Sequence, residues 1–161
     1  MRAFILGFTL LLSACGFQPM YAPSGGGPAI GPVTVTQISG KAGHVLKTEL
    51  DRLLAVESAA AGEPMVLDVS VQEYVSGLGL RRDASASRAE LRLVANYVLT
   101  RPGNAGIVRG SISAVANYDI PSAAFGEITA QDDARERAAE NLARRMRAEL
   151  ALRLAQARQA Q

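Results

Sequence analysis

Apolar and polar residues alternate along this chain with two different periods, which predict where strands and helices form. Residues 33–38 alternate with a period of two and predict a short strand. From residue 42 to about residue 58, apolar side chains recur at helical spacing opposite a charged side, which predicts an amphipathic helix. The apolar positions of that helix are Val45, Leu46, Leu50, Leu53 and Leu54.

Three consecutive strands are predicted in the middle of the chain, where alternation is strict. The first covers residues 65–72 and extends towards residue 80, although Gly77 and Gly79 suggest a bulge or fraying there. A polar hairpin tip at residues 81–87 leads to the second strand at 89–100. An Arg-Pro-Gly-Asn turn then leads to the third strand at 107–118. One apolar and one mixed face per strand is typical of an antiparallel sheet covered on one side.

A long helix is predicted near the C-terminus, beginning between Ala123 and Asp132. Acidic residues lie early in this segment and arginines lie late, as the helix dipole favours. Its apolar stripe recurs every four residues at Ala134, Ala138, Leu142, Met146, Leu150 and Leu154.

The order strand, helix, three strands, helix predicts an α+β fold. Two helices that each need an apolar surface can share the single apolar face of the sheet. The expected architecture is therefore a two-layer sandwich: a four-stranded, mostly antiparallel sheet with two helices packed on one face.

The other face of the predicted sheet mixes polar residues with valines. It is more apolar than an ordinary solvated surface and too polar for a second core. This composition suits a partner interface, and it also suits an exposed face that tolerates valines; both interpretations stay open. Its polar members are Thr34, Asp68, Gln72, Arg92, Arg109, Ser111 and Ser113.

The N-terminus has the layout of a bacterial lipoprotein signal. Arg2 precedes an apolar run at residues 3–12, and Leu-Ser-Ala-Cys closes it at Cys15, the only cysteine. The run is about half of the ~20 residues that a membrane span needs. A transmembrane helix, or a plain signal peptide with a coincidental cysteine, is the weaker interpretation. We predict cleavage before Cys15, a diacylglycerol thioether on its sulfur and acylation of the new N-terminus.

These patterns divide the chain into three parts. Residues 1–14 form the predicted signal peptide, 15–32 a lipidated tether rich in proline and glycine, and 33–161 a single domain. Gly16 stands where bacterial lipoproteins retained at the inner membrane commonly carry Asp. By resemblance to such lipoproteins, Gly16 favours the outer membrane.

Charge and residue usage argue against several functions. The formal charge is +2, and +1 without Arg2, which argues against general nucleic-acid binding. His44 is the sole histidine, and no spacing typical of a catalytic triad, metal site or phosphate loop surrounds it. We therefore expect no enzyme activity, no cofactor and no metal.

Four segments together resemble the LptE family of lipopolysaccharide-assembly lipoproteins. They are Cys-Gly-Phe-Gln-Pro-Met-Tyr at residues 15–21, Arg-Asp-Ala-Ser at 82–85, Val-Ala-Asn-Tyr at 115–118 and Arg-Ala-Ala-Glu-Asn-Leu at 137–142. The resemblance implies a lipid-anchored, non-enzymatic protein on the periplasmic side of the outer membrane. It also implies a place inside the lumen of the β-barrel LptD, where such a protein plugs the barrel, assists its assembly and binds lipopolysaccharide during insertion.

Arginines at the predicted turns are the candidate ligand-binding residues. Lipid A carries phosphates, and guanidinium groups bind phosphate oxygens in a bidentate manner. Arg81, Arg82 and Arg88 lie at the first hairpin turn, and Arg101 lies at the next. The simpler interpretation of each is a solvated charge at a loop.

Two other functions remain open at the level of sequence. One is an auxiliary lipoprotein subunit of a different envelope transport system for lipids or other substrates. The other is a purely structural lipoprotein of the envelope. Stable co-purification with an outer-membrane β-barrel separates the LptE interpretation from the first, and lipopolysaccharide binding separates it from the second.

Overall fold

A computed structural model describes residues 30–55, 63–80, 86–121 and 124–159 of the chain. The predicted signal peptide, most of the tether, Cys15, Arg81 and Arg82 lie outside the described residues. The described elements, in chain order, are β1 (Val33–Val35), α1 (Gly40–Ala55), β2 (Met65–Leu80), β3 (Ala86–Arg101), β4 (Asn104–Asp119) and α2 (Ala124–Gln159).

The four strands form one sheet in the order β1-β2-β3-β4. β1 pairs with β2 in parallel, whereas β2–β3 and β3–β4 are antiparallel. The parallel pair follows from the connection, because α1 carries the chain back before β2 begins. The predicted α+β sandwich with a mostly antiparallel sheet is confirmed.

β1 is shorter than the alternation at residues 33–38 predicted. The backbone N–H of Thr36 still donates to the carbonyl of Leu67, at 3.0 Å. Ile38 then turns into the core, and Gly40 adopts a φ of 84° where α1 begins. The burial of Ile38 and the early helix start therefore end the strand at Val35.

The core lies between one face of the sheet and the two helices. On β3, every second residue from Ala89 to Leu99 is buried, as the alternation predicted. The four-residue stripe of α2 is buried from Ala134 to Leu154. Among the described residues, no helix combines the length and apolar character that a membrane span requires.

The ring of Tyr97 on β3 lies directly against Gly110 on β4 inside the core. They are register partners, and a Cβ on residue 110 would lie 2.5 Å from the Tyr97 hydroxyl oxygen. The Tyr97 hydroxyl donates to Glu149 on α2 at 2.8 Å. Burial, together with this carboxylate, raises the pKa of Tyr97 to about 12. Gly110 therefore makes room for the ring that connects the sheet to α2.

Candidate functional site

The sheet face that points away from the helices is uncovered by any described element, and we call it the outer face. Register places Tyr74, Arg92 and Val115 in one row across β2, β3 and β4. Tyr74 is 53% exposed and Val115 is 39% exposed. The polar residues predicted to share a face with the valines all belong to this face. They are Thr34, Asp68, Gln72, Arg92, Arg109, Ser111 and Ser113.

Two pairs of polar side chains on the outer face form within a single strand. Tyr74 donates its hydroxyl to Gln72 at 2.7 Å, and Arg92 pairs with Glu90 at 2.8 Å. Val94 and Val115 lie beside these pairs, as register partners of Gln72 and Arg92. Valine side chains and paired polar groups therefore share this part of the surface.

Arg88 lies at the end of the sheet where β2 and β3 connect. Its Nε is 3.1 Å from Oδ1 of Asp119, and both side chains are exposed. Leu78, Arg88 and Asp119 form one row of the outer face. An exposed ion pair of this kind contributes little stability, so an incoming phosphate can compete for the guanidinium.

Arg101 lies at the opposite end of β3. Thirteen residues separate it from Arg88, which corresponds to about 40 Å along an extended strand. Its Nε lies 3.1 Å from Oε2 of Glu63, yet makes no hydrogen bond of good geometry with any described residue. The structure therefore does not bring Arg88 and Arg101 into one site.

Exposed apolar residues at the Arg88 end were not predicted from the sequence. Leu78 is 39% exposed, and Phe125 and Ile128 protrude from the first turns of α2. Burial, and then the carboxylate of Glu127, raise the pKa of the Tyr118 hydroxyl, which indicates that the first turn of α2 lies at this end. The available signal was that Phe125 and Ile128 fall outside the four-residue apolar stripe of α2.

An ion-pair cluster connects β2 with both helices. Arg135 binds Glu73 through two hydrogen bonds, at 2.7 and 2.8 Å, and also contacts Asp132. Lys41 of α1 lies 3.6 Å from the same Asp132. The hydrogen bonds to Glu73 raise the pKa of the Arg135 guanidinium, which is only 11% exposed. All charges here have partners, so the cluster holds α2 in place and does not offer a ligand site.

A shallow cleft between the helices contains the only histidine of the chain. Its volume is about 260 Å³, and three of its six lining residues are glutamates. The hydrogen bond from Arg52 lowers the pKa of Glu49, one of these carboxylates. Within the described residues, no group of His, Cys, Asp or Glu is arranged to hold a metal ion. The lining residues are His44, Val45, Thr48, Glu49, Glu136 and Glu140.

These features define a class of protein: a small α+β domain with one sheet face that the described elements leave uncovered. The family model LptE, described as lipopolysaccharide-assembly, matches residues 29–154. The chain therefore belongs to the LptE family. That family consists of non-enzymatic lipoproteins associated with the outer membrane, and its role is in lipopolysaccharide transport.

Solved structures agree with the fold. A putative lipoprotein from Caulobacter crescentus CB15 is 27% identical, with a TM-score of 0.60 over 80% of this chain and 93% of that chain. A minor lipoprotein from Acinetobacter baumannii is 14% identical, with a TM-score of 0.61 over 77% of this chain and 92% of that chain. Comparison with curated proteins found no similar sequence.

Proposed function

We propose that this chain is an outer-membrane lipoprotein, acylated on Cys15, that occupies the lumen of the LptD β-barrel and binds lipopolysaccharide during its insertion. The observation that carries the proposal is the bare outer face on a domain of the LptE family. Because both helices pack on one side of the four-stranded sheet, the other side can contact the wall of the β-barrel.

The composition of the outer face suits burial against a protein. Valines from β2, β3 and β4 share this face with polar side chains, and some of these already have partners, such as Arg92 with Glu90. Protein interfaces combine an apolar core with satisfied polar groups, and unpaired charges are scarce at their centre. In this proposal the outer face contacts the barrel wall.

Lipopolysaccharide binds at the Arg88 end in this proposal. Arg88 is 61% exposed, follows Arg81 and Arg82 in the chain, and shares a row with the exposed Leu78. Cations beside apolar side chains match a phosphorylated lipid, which presents anionic and hydrocarbon parts together. Arg101 lies about 40 Å away along β3, so it cannot share a phosphate-binding site with Arg88.

Anchoring depends on Cys15. Two or three acyl chains give a stable anchor, whereas a single chain gives marginal binding. Intact mass spectrometry of the native protein should find residues 1–14 removed and the Cys15 sulfur modified. A free thiol with the leader still attached would contradict this part of the proposal.

The ligand test uses charge reversal with a matched control. The double change Arg81→Glu and Arg82→Glu should weaken lipopolysaccharide binding at least tenfold, and wild-type binding should weaken as salt rises. Arg144→Glu makes a charge change of the same kind on α2, where Arg144 pairs only with Glu140 and Asn141 among the described residues, and should leave binding unchanged. Equal binding by the double variant and the control would reject the assignment of Arg81 and Arg82.

The partner test is purification from outer membranes in mild detergent. The proposal predicts stoichiometric recovery of LptD with this chain. Recovery of another envelope transport system in its place would favour the auxiliary-subunit function.

A further inference from the structure

Most of β2 has a free edge, although β2 is not the last strand of the sheet. β1 pairs with β2 only over Val33–Val35, opposite Met65 to Leu67. The pairing of β2 with β3 continues without a shift from Val66 to Leu78. Beyond Leu67, no described strand lies on the other side of β2.

The direction of the backbone groups along this edge follows from two hydrogen bonds. The N–H of Met65 donates to the carbonyl of Pro32, and the carbonyl of Leu67 accepts from Thr36. Odd-numbered residues of β2 therefore direct their N–H and C=O groups towards the β1 side. By the same alternation, these groups on Val69, Val71, Glu73, Val75 and Gly77 point to the open edge.

Two backbone carbonyls on the opposite edge of the sheet accept hydrogen bonds from arginine side chains. On β4, Arg137 donates to the carbonyl of Asn117 at 3.1 Å, and Arg145 donates to the carbonyl of Ser113. The two arginines are eight residues apart on α2, about 12 Å. The two carbonyls are four residues apart on β4, about 13 Å. Arginines of α2 thus occupy outward carbonyls of β4, and no described side chain does the same on β2 from Val69 to Gly77.

The side chains of the open edge do not repel an added strand. Val69 and Val71 are half-buried on the helix side, and Val75 is 46% exposed there. Glu73 is an inward-pointing charge of the kind that deters pairing, but Arg135 neutralises it through two hydrogen bonds. Asp68, on the outer face, has no described ionic partner.

The path of the chain itself leads away from this edge. Gly31 and Pro32 lie beside Met65, and β1 runs parallel to β2, so the described residues before β1 lie at the end of β2 opposite Val75. Residues 81–85 are too few to turn and run back along β2. Occupation from within this chain would need a reversal that passes around β1.

We infer that the edge of β2 from Val69 to Gly77 accepts an extended strand from the barrel partner, in the manner of β-strand addition. The occupant is a segment of about nine residues, with apolar side chains towards Val69, Val71 and Val75 and a cation opposite Asp68. Only an extended polypeptide supplies the alternating donors and acceptors that this edge lacks. This inference rests on the proposed function, because it names the barrel as the source of the strand.

Amide hydrogen exchange, measured at single-residue resolution, tests this strand addition. It is measured on the isolated chain and on the complex of the chain with LptD. The outward amides of Val69, Val71 and Val75 should exchange at least tenfold more slowly in the complex. The neighbouring amides of Ser70 and Gln72 point to β3 and should be protected in both states, which provides an internal reference.

A proline substitution provides a second arm. Val71→Pro removes an outward N–H without breaking the ladder to β3, and should reduce LptD recovery at least tenfold. Arg144→Glu, a change on α2 away from both the outer face and this edge, serves as the control and should leave recovery near the wild-type level. Thermal unfolding of both variants verifies that they fold; if Val71→Pro does not fold, hydrogen exchange of the wild type decides.

The outcomes separate this inference from the proposed function. If wild-type protein recovers no LptD, the proposed function fails and the inference fails with it. If LptD is recovered but the amides of Val69, Val71 and Val75 exchange as in the isolated chain, only the inference is overturned. The inference is also overturned if these amides are already protected in the isolated chain. Protection that disappears when residues 15–29 are removed assigns the edge to the tether. Protection that depends on protein concentration assigns the edge to a second copy of the chain.

Discussion

The two faces of β3 differ completely in their surroundings, although their residues alternate along one strand. The inner residues Leu91, Leu93 and Leu99 are fully buried beneath the helices. The outer residues Arg92 and Asn96 are exposed, and Val94 is half-buried. Stability therefore resides on the inner face. Substitutions on the outer face should therefore affect binding without disturbing the core.

The largest effect expected from this comparison is a loss of stability on the inner face. Leu93→Ala should lower the free energy of unfolding by about 3 kcal/mol, because it removes buried methyl groups and leaves a cavity. Its outer neighbour Val94→Ala should cost less than about 1 kcal/mol. Urea unfolding of both variants provides the measurement, and equal losses would contradict the division between the faces.

Gly110→Ala should produce the next largest effect. The added Cβ would lie 2.5 Å from the Tyr97 hydroxyl oxygen, so the ring or the strand must shift. Overpacking of this kind costs about 1–3 kcal/mol. Ser111→Ala, on the adjacent outer position, serves as the control, and the prediction fails if thermal unfolding is the same for both variants.

Tyr97→Phe should have a smaller effect that depends on pH. Losing the hydrogen bond to Glu149 should cost about 1–2 kcal/mol near neutral pH. The folded protein raises the pKa of Tyr97 from 10.0 to about 12 and so favours the neutral hydroxyl. That contribution is complete below pH 10 and is lost as pH rises through about 12.

Unfolding curves between pH 8 and pH 12 provide the measurement for Tyr97. The difference in stability between wild type and Tyr97→Phe should be constant below pH 10 and should shrink above it. A difference that does not change across this range would show that the hydroxyl does not titrate as proposed.

The smallest effect on stability is expected on the outer face. Val115→Glu places a carboxylate opposite Arg92 on an exposed position and should change the free energy of unfolding by less than about 0.5 kcal/mol. It should nevertheless reduce recovery of LptD, because it buries a charge in the proposed interface. Normal recovery of the barrel by this variant would argue against Val115 as an interface residue.

Sequence patterns were sufficient for the architecture, because periodicity reports which side of each element faces the core. The four-residue stripe of α2 and the alternation of β3 both correspond to buried positions. The contacts of Arg135 with Glu73 and of Tyr97 with Glu149 could not be predicted in this way. Their partners are 62 and 52 residues apart in the chain, so they depend on how α2 lies across the sheet.

The candidate site was partly predictable for the same reason. The position of Arg88 at the β2–β3 end follows from the hairpin, and the length of β3 separates it from Arg101. The exposed Phe125 and Ile128 were missed, although both fall outside the four-residue apolar stripe of α2, which was the signal that they stay uncovered. The arginines that occupy carbonyls of β4 were missed because nothing in local spacing shows where a long side chain reaches.

The most direct test of the account is thiol labelling of the outer face. Cys15 is the only natural cysteine and is expected to be acylated, so Val94→Cys introduces a single reactive thiol at the centre of the outer face. Its labelling by a maleimide should be fast in the isolated chain and at least tenfold slower in the complex with LptD. Equal labelling rates in the two states would contradict the claim that the barrel covers this face.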